Sequence, residues 1–315
     1  MVKLTKIKGD ASFRKFFRKK NKNFSSILIF AKKEKNKNLV IYDAINKILN
    51  KNKILAPKLI KENYTKNLIE IQDFGDETIF NIFKKKNIDK FSYYKKIIKV
   101  LNQIQSIKDK KIKNFQNKDY IIPEYSKKIL LDEANLFCDW YVNKNLPKIF
   151  RAKFKKKFRK IIVKLSMSIK LKDDVFVHRD FHVSNLMVIN KKIGVIDSQD
   201  ALIGNRAYDL ASLIDDVRIN TTIKLKQKVY WHYIKNQKKL SINKFKNDFE
   251  ILSMLRNLKI IGIFTRLAIR DGKKSYLKLI PNAWKLMRVR INQNKLFKDL
   301  KDLLNDNFWR ELNEN

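Results

Sequence analysis

The spacing of apolar and polar positions changes character near residue 75. Before it, 24–30 (Phe-Ser-Ser-Ile-Leu-Ile-Phe) and 67–72 (Asn-Leu-Ile-Glu-Ile-Gln) are apolar runs of strand length. Between them Val40, Ala44, Ile45 and Ile48 recur at helical spacing, and Ala56-Pro57 closes that stretch. After Asp76 the pattern predicts long amphipathic helices over 90–107, 123–143, 147–171, 206–217, 221–236, 243–270 and 275–291. The expectation is an α+β chain in two parts, with a small strand-rich unit at 1–75 and a larger, mostly helical one at 76–315.

One interruption of the helical half stands out. Val175-Phe176-Val177 is a short apolar run, followed by the octet His178-Arg179-Asp180-Phe181-His182-Val183-Ser184-Asn185. Then come 186–189, a polar turn at Asn190-Lys191-Lys192, and 193–196 ending at Asp197, which together read as a β-hairpin. In an antiparallel hairpin the residue before the first strand lies beside the residue after the second, so Asn185 and Asp197 are expected to meet at its open end.

A side-chain amide beside a carboxylate offers hard oxygen ligands suited to Mg2+, which usually takes one or two carboxylates plus phosphate oxygens and water. Asp180, five residues before Asn185 on the same loop, is placed to orient a substrate hydroxyl toward a phosphate held by that metal. These are the parts that phosphoryl transfer requires. The spacing His-x-Asp-x4-Asn, then a hairpin, then Asp, is the kinase catalytic arrangement. Alone, Asp180 or Asn185 would read as a backbone cap. Two of the chain's three His residues fall in the same octet, however, and the hairpin brings Asp197 to it independently. His178 reads as a brace and not as an acid-base group.

Composition changes this picture little. The net charge of +41 invites nucleic acid or an anionic membrane, yet only 13 of the 72 basic residues are Arg, and Lys is scattered with Asn through helices and turns alike. No specific nucleic-acid partner and no membrane are expected. The single cysteine, Cys138, lies in an apolar-aromatic segment and reads as a buried, inert thiol. With no uninterrupted apolar stretch of membrane length and an opening that alternates charge with apolar residues, a cytoplasmic protein is expected. Trp140, Trp231 and Trp284 sit among apolar neighbours and read as core. Arg256, Arg266 and Arg270 read as a solvated or salt-bridged helix face.

The octet, together with Gly194-Val195-Ile196-Asp197-Ser198-Gln199-Asp200 and Ala207-Tyr208-Asp209-Leu210-Ala211, resembles the aminoglycoside phosphotransferase superfamily. The stretches Gly9 through Arg18, Leu136 through Trp140 and Arg256 through Lys273 are similar to the branch that holds bacterial N-acetylmuramate and N-acetylglucosamine anomeric kinases. The resemblance implies a protein-kinase-like two-lobed fold, with ATP and Mg2+ as cofactors. It implies Asp180 as catalytic base, Asn185 and Asp197 as metal ligands, Gly9, Asp10, Ala11 and Ser12 as a loop over the phosphates, and Ile71, Gln72, Asp73 and Phe74 as the hinge meeting adenine. Asp209 is implied as a brace below the site. One departure is plain: the strand at 24–30 holds no phosphate-pairing Lys, which leaves Lys32, Lys33, Arg14 and Arg18 as candidates.

The activity implied is transfer of the γ-phosphate of ATP to the anomeric hydroxyl of an N-acetylated cell-wall amino sugar, a small-molecule partner, in peptidoglycan recycling. Its rivals are a kinase of another hydroxyl compound (aminoglycoside, choline or homoserine type) and a non-catalytic nucleotide- or polyanion-binding scaffold. A protein kinase is disfavoured because no Ala-Pro-Glu segment follows Asp197.

Overall fold

A computed structural model describes residues 3–7, 14–22, 24–31 and 38–313. The chain packs as two units, Met1–Glu124 with Asp174–Asp209, and Tyr125–Asp173 with Leu210–Asn315. Thus the octet at 178–185 and its hairpin pack in the same unit as the strand-rich segment.

In the first unit, β1 (Lys3–Ile7), β2 (Lys15–Lys20), β3 (Ser25–Phe30), β4 (Leu59–Asn63) and β5 (Leu68–Gln72) form an antiparallel sheet in the order β1-β2-β3-β5-β4. The two apolar runs legible in the sequence are its neighbouring strands β3 and β5, in register at Ile27↔Ile71 and Ile29↔Ile69. Helix α1 (Asn38–Lys51) lays Leu39 and Tyr42 against Ile29, Ala31, Ile69 and Ile71. Strands β1, β2 and β4 escape the hydrophobic pattern: β1 is exposed almost throughout, and β2 (Lys-Phe-Phe-Arg-Lys-Lys) puts charge on both faces. Their order comes from backbone pairing with a better-packed neighbour.

The unit continues through α2 (Ile79–Lys84), α3 (Lys90–Gln105), the short pair β6 (Lys111–Lys113) and β7 (Asp119–Ile121), then β8 (Asp173–Val177), β9 (Leu186–Ile189), β10 (Lys192–Val195) and β11 (Leu202–Asn205). Strands β9 and β10 are the expected hairpin, turning at Asn190 and Lys191, whose φ values of 47° and 65° are those of a twist-compatible two-residue turn. It is docked on both sides by backbone hydrogen bonds, Val188 N–H to the Glu77 carbonyl and Val195 N–H to the Leu55 carbonyl, each 2.8 Å. Strand β8 pairs with β11.

The second unit is helical: α4 (Lys127–Leu136), a π-helical turn at Phe137–Val142, α5 (Asn143–Asn145), α6 (Lys148–Met167), α7 (Ala207–Ile214, whose first turn belongs to the first unit), α8 (Ile223–Lys235), α9 (Ile242–Arg270), α10 (Ile280–Gln293), α11 (Lys298–Asn307) and α12 (Trp309–Asn313). The single helix expected at 123–143 starts instead at Ser126, whose side chain caps it by accepting from Ile129 N–H, and it widens into the π turn after Leu136. Helix α9 is buried on nearly every face from Phe245 to Ala268, the mark of a central core helix. Gly262 lets its backbone lie directly on the Leu136–Phe137 peptide. Phe137, Tyr141, Phe154, Phe158, Trp284 and Phe308 form an adjoining aromatic cluster.

Two expectations are corrected here. Trp284 is core and Trp140 half-buried, but Trp231 is 48% exposed on α8 beside Tyr230. Arg270 is exposed and paired with Asp271, whereas Arg256 is buried, because α9 has no solvated face at that point. Cys138 is buried, and loss of water around its thiol pushes it up to about 12. Among the described residues no helix is long and apolar enough to cross a membrane.

Candidate active site

The site begins where β8 ends. Val175, Phe176 and Val177 are buried, and the chain then turns through a conformation that L-residues resist, with Arg179 at φ +71°. The fully buried Asp209 carboxylate at the start of α7 holds that turn, accepting from the N–H of His178 at 2.7 Å and of Arg179 at 3.0 Å. Hydrogen bonds to an ionised carboxylate are about twice as strong as neutral ones, which offsets the backbone strain. His178 itself is fully buried, and burial lowers its imidazole to about 4 against the opposing pull of Asp180. Its ring is therefore neutral at pH 7, in keeping with a brace.

Asp180 follows, partly exposed, and its backbone carbonyl organises the loop by accepting from His182 N–H at 3.0 Å and from Asn185 Nδ2 at 3.1 Å. With Nδ2 so used, Asn185 Oδ1 on the other arm of the amide is the ligand-capable atom. The hairpin then closes as its pattern implied: Leu186 pairs with Val195, and Ile196 N–H donates to the Asn185 carbonyl at 3.0 Å. Asp197 is thereby carried to the open end, at φ +62°, a second left-handed non-glycine residue in the site.

Asp197 has a partner that sequence spacing could not show. Arg14, nearly buried just before β2, places Nη2 3.0 Å from Asp197 Oδ1 and donates from Nη1 to Gln199 Oε1 at 3.1 Å. Although 40% of its side-chain surface is open, the Asp197 carboxyl is held above the usual carboxylate range by loss of water around it. Arg14 pulls the other way, and the charges of Asp180 and Asp200 add to the rise. Asp180, Asn185 and Asp197 are thus gathered on one wall of the first unit, with Asp209 behind them.

Among the described residues no three His, Cys, Asp or Glu side chains form a metal cage. Mg2+ bound with a nucleotide needs none: Asn185 Oδ1 and Asp197 fit the one or two protein oxygens it takes alongside phosphate and water.

The expected nucleotide contacts divide. Gly9, Asp10, Ala11 and Ser12, with Lys32 and Lys33, lie outside the described residues. Ile71 is buried in the sheet, and Gln72 N–H is taken by the Lys58 carbonyl at 2.9 Å. Asp73 accepts from Ser25 Oγ at 2.5 Å and from Gly75 N–H at 2.8 Å, and it pairs with Arg18 Nε at 2.7 Å. Phe74 lies against Gly194 of β10, where a Cβ would come within 2.9 Å of its ring. Arg18 also pairs with Asp76 at 2.7 Å and so serves to tie β2 to 73–76. Of the two candidate cations among the described residues, Arg14 and Arg18, Arg14 is the one placed at Asp197.

Comparison with known proteins bears on the chain as a whole. The profile of the phosphotransferase enzyme family (APH) matches residues 3–229. The N-acetylmuramate/N-acetylglucosamine kinase of Neisseria meningitidis serogroup B is 26% identical over 291 residues, covering 90% of this chain and 84% of that protein. Among solved structures, an ethanolamine kinase of Plasmodium vivax superposes with a TM-score of 0.63 at 14% identity, covering 92% of this chain and 84% of that one. A spectinomycin phosphotransferase in complex with ADP and spectinomycin gives 0.59 at 15% identity, over 95% and 92%. The kinase-like fold is shared at identities too low to carry substrate.

Proposed function

The chain belongs to the phosphotransferase enzyme family, and from that premise we propose that it is an ATP-dependent kinase of the anomeric hydroxyl of N-acetylmuramate and N-acetylglucosamine. The observation that carries the chemistry is the gathering of Asp180, Asn185 and Asp197 on one hairpin-anchored wall, braced by Asp209. The observation that favours the sugar is similarity over nine-tenths of the chain to a kinase of those two compounds.

In this reading Asp180 orients the sugar hydroxyl and takes up its proton as the oxygen attacks the γ-phosphorus. The bond from that phosphorus to the β,γ-bridging oxygen breaks, and ADP leaves. Asn185 and Asp197 are the residues that would hold Mg2+, which would supply charge neutralisation for the phosphates in transfer. Arg14 keeps the Asp197 carboxylate oriented and supplies a positive charge 3.0 Å from it. Residues 1–75 carry the nucleotide contacts, including Gly9 to Ser12 and the 71–74 segment. Phosphorylation of free amino sugars recovered from the cell wall, in the cytoplasm, is the setting this activity implies.

The test is ATP consumption by the purified protein with N-acetylmuramate, N-acetylglucosamine, choline, homoserine and aminoglycosides, each run beside Asp180→Asn. The reading expects turnover with the first two sugars, lost in the variant while ATP binding persists. Turnover confined to another acceptor would transfer the same chemistry to that compound, and none with any acceptor would leave only a nucleotide-binding scaffold.

A further inference from the structure

Strand β3, where a kinase carries its phosphate-pairing lysine, supplies no cation: its six residues are Ser-Ser-Ile-Leu-Ile-Phe. Ile29 and the following Ala31 are fully buried and pack on Leu39 and Tyr42 of α1. The neighbouring strand provides one instead. Lys15 of β2 pairs with Phe30 of β3, so Arg14, one residue further out, falls level with Ala31 and on the same side of the sheet as α1. Its guanidinium carbon lies 5.9 Å from the ring centre of Tyr42 and 5.7 Å from that of Phe16. Helix α1 is in turn fixed to the residue after Asp197, since Asn46 accepts from Ser198 Oγ at 2.6 Å.

The guanidinium joins a closed end to an open one. Nη1 donates to the buried Gln199, whereas Nη2 meets Asp197, the carboxylate with 40% of its side-chain surface open. Arg18 is committed elsewhere, to Asp73 and Asp76. A plain counter-ion would suffice if Asp197 served only the fold. Asp197 is, however, placed with Asn185 as a ligand for Mg2+, and a divalent cation there would add positive charge beside a group that cannot shed its proton. The anions able to balance both charges are the phosphate oxygens that accompany the metal. A planar fork that grips two oxygens at once is suited to them, which explains a guanidinium at this position in a chain so rich in Lys.

We propose that Arg14 is the residue that binds the α- and β-phosphates of the nucleotide, in place of a lysine on β3, and that its contacts with Asp197 and Gln199 hold the guanidinium ready for them. This rests on the phosphotransfer reading of the site. Arg14, Tyr42, Asn185, Asp197 and Gln199 all belong to the first unit. A residue that acted only by orienting Asp197 would matter only when metal is bound, and the experiment separates that role from direct phosphate binding.

Calorimetric titration measures Kd for ADP and for adenosine, with Mg2+ and in EDTA, on the wild type, Arg14→Met and Arg14→Lys. The EDTA series is repeated in an Asp197→Asn background, where neither metal nor repulsion by that carboxylate contributes. Loss of charge-assisted bonds should weaken ADP binding by roughly 10- to 100-fold in Arg14→Met in every series, less in Arg14→Lys, with adenosine within about threefold. A loss confined to Mg2+ solutions, an equal loss for adenosine, or an unchanged Kd for ADP would each overturn the proposal. On unaltered protein in EDTA, ADP should bind at least about tenfold more tightly than adenosine. Equal affinities there would overturn it even if the variants fail to fold. A wild type that binds neither compound would remove the phosphotransfer reading and this inference together, an outcome distinct from a wild type that binds ADP with an affinity the variants leave untouched.

Discussion

Replacing Asp209 by Asn tests whether the strained turn is held from behind. The carboxylate accepts two backbone N–H groups, from His178 and Arg179, on two oxygens in a site with no exposure to water. Asn keeps the shape but offers one acceptor, so one N–H faces an NH2 group that cannot receive it, and the surviving bond loses its charge. Hydrogen bonds to a charged group contribute about 1.5–3 kcal/mol and a buried unpaired N–H costs about 1–3 kcal/mol, so the turn should lose roughly 2–4 kcal/mol. Arg179 at φ +71° then has less to hold it in a conformation disfavoured by about 1–2 kcal/mol. If that whole cost falls on the arrangement that presents Asp180, kcat drops about 30- to 1000-fold, because 1.4 kcal/mol is a factor of ten. ADP release under saturating substrates reads kcat, calorimetric titration reads ATP affinity, and thermal melting reports folding. A folded Asp209→Asn protein whose kcat stays within about threefold of the wild type would refute the reasoning.

Two further outcomes follow from the packing and the titration of the same molecule. Gly262→Ala should destabilise by about 2 kcal/mol in urea melts. The new Cβ would lie 2.3 Å from the Leu136 carbonyl carbon, and backbone cannot swing aside, so overpacking outweighs the gain of about 1 kcal/mol in helix propensity; a stabilised variant would contradict the close approach. His178, lowered to about 4 from 6.5, stays neutral in the native state where the unfolded chain takes up a proton. Stability should therefore be complete above pH 6.5 and fall as pH drops toward 4, by up to about 3 kcal/mol, and His178→Phe should flatten that part of the curve in urea melts at pH 7 and pH 5.

The hairpin and the octet were legible because their signals are local. A polar turn between two four-residue apolar runs fixes the register, and the register alone carries Asn185 to Asp197. The central strands β3 and β5 were legible for the same reason, as were the long helices. What the pattern missed is held by distant partners. Strands β1 and β2 have little apolar alternation to read, and the Arg14–Asp197 pair joins positions 183 residues apart. Nor could periodicity show that Arg256 is buried: in a helix covered on all sides, charged residues no longer mark the solvent face. The π turn after Leu136 and the exposed Trp231 likewise depend on neighbours, not on spacing.

Those exceptions share a feature that bears on the charge of +41. Lys makes up most of the 72 basic residues, yet among the described residues the two buried cations are both Arg, at positions 14 and 256. A lysine ammonium is compact, strongly hydrated and cheap to leave in water, whereas a guanidinium is planar, weakly hydrated and suited to gripping two oxygens at once. A polyanion-binding surface would need its arginines exposed on one face. Instead Arg14 is turned inward onto Asp197 and Gln199, Arg18 and Arg290 are tied to Asp73, Asp76 and Asp215, and Arg256 is buried in the core of the helical unit. Arg14, Arg18 and Arg290 are thus engaged with individual carboxylates, while no lysine among the described residues is buried.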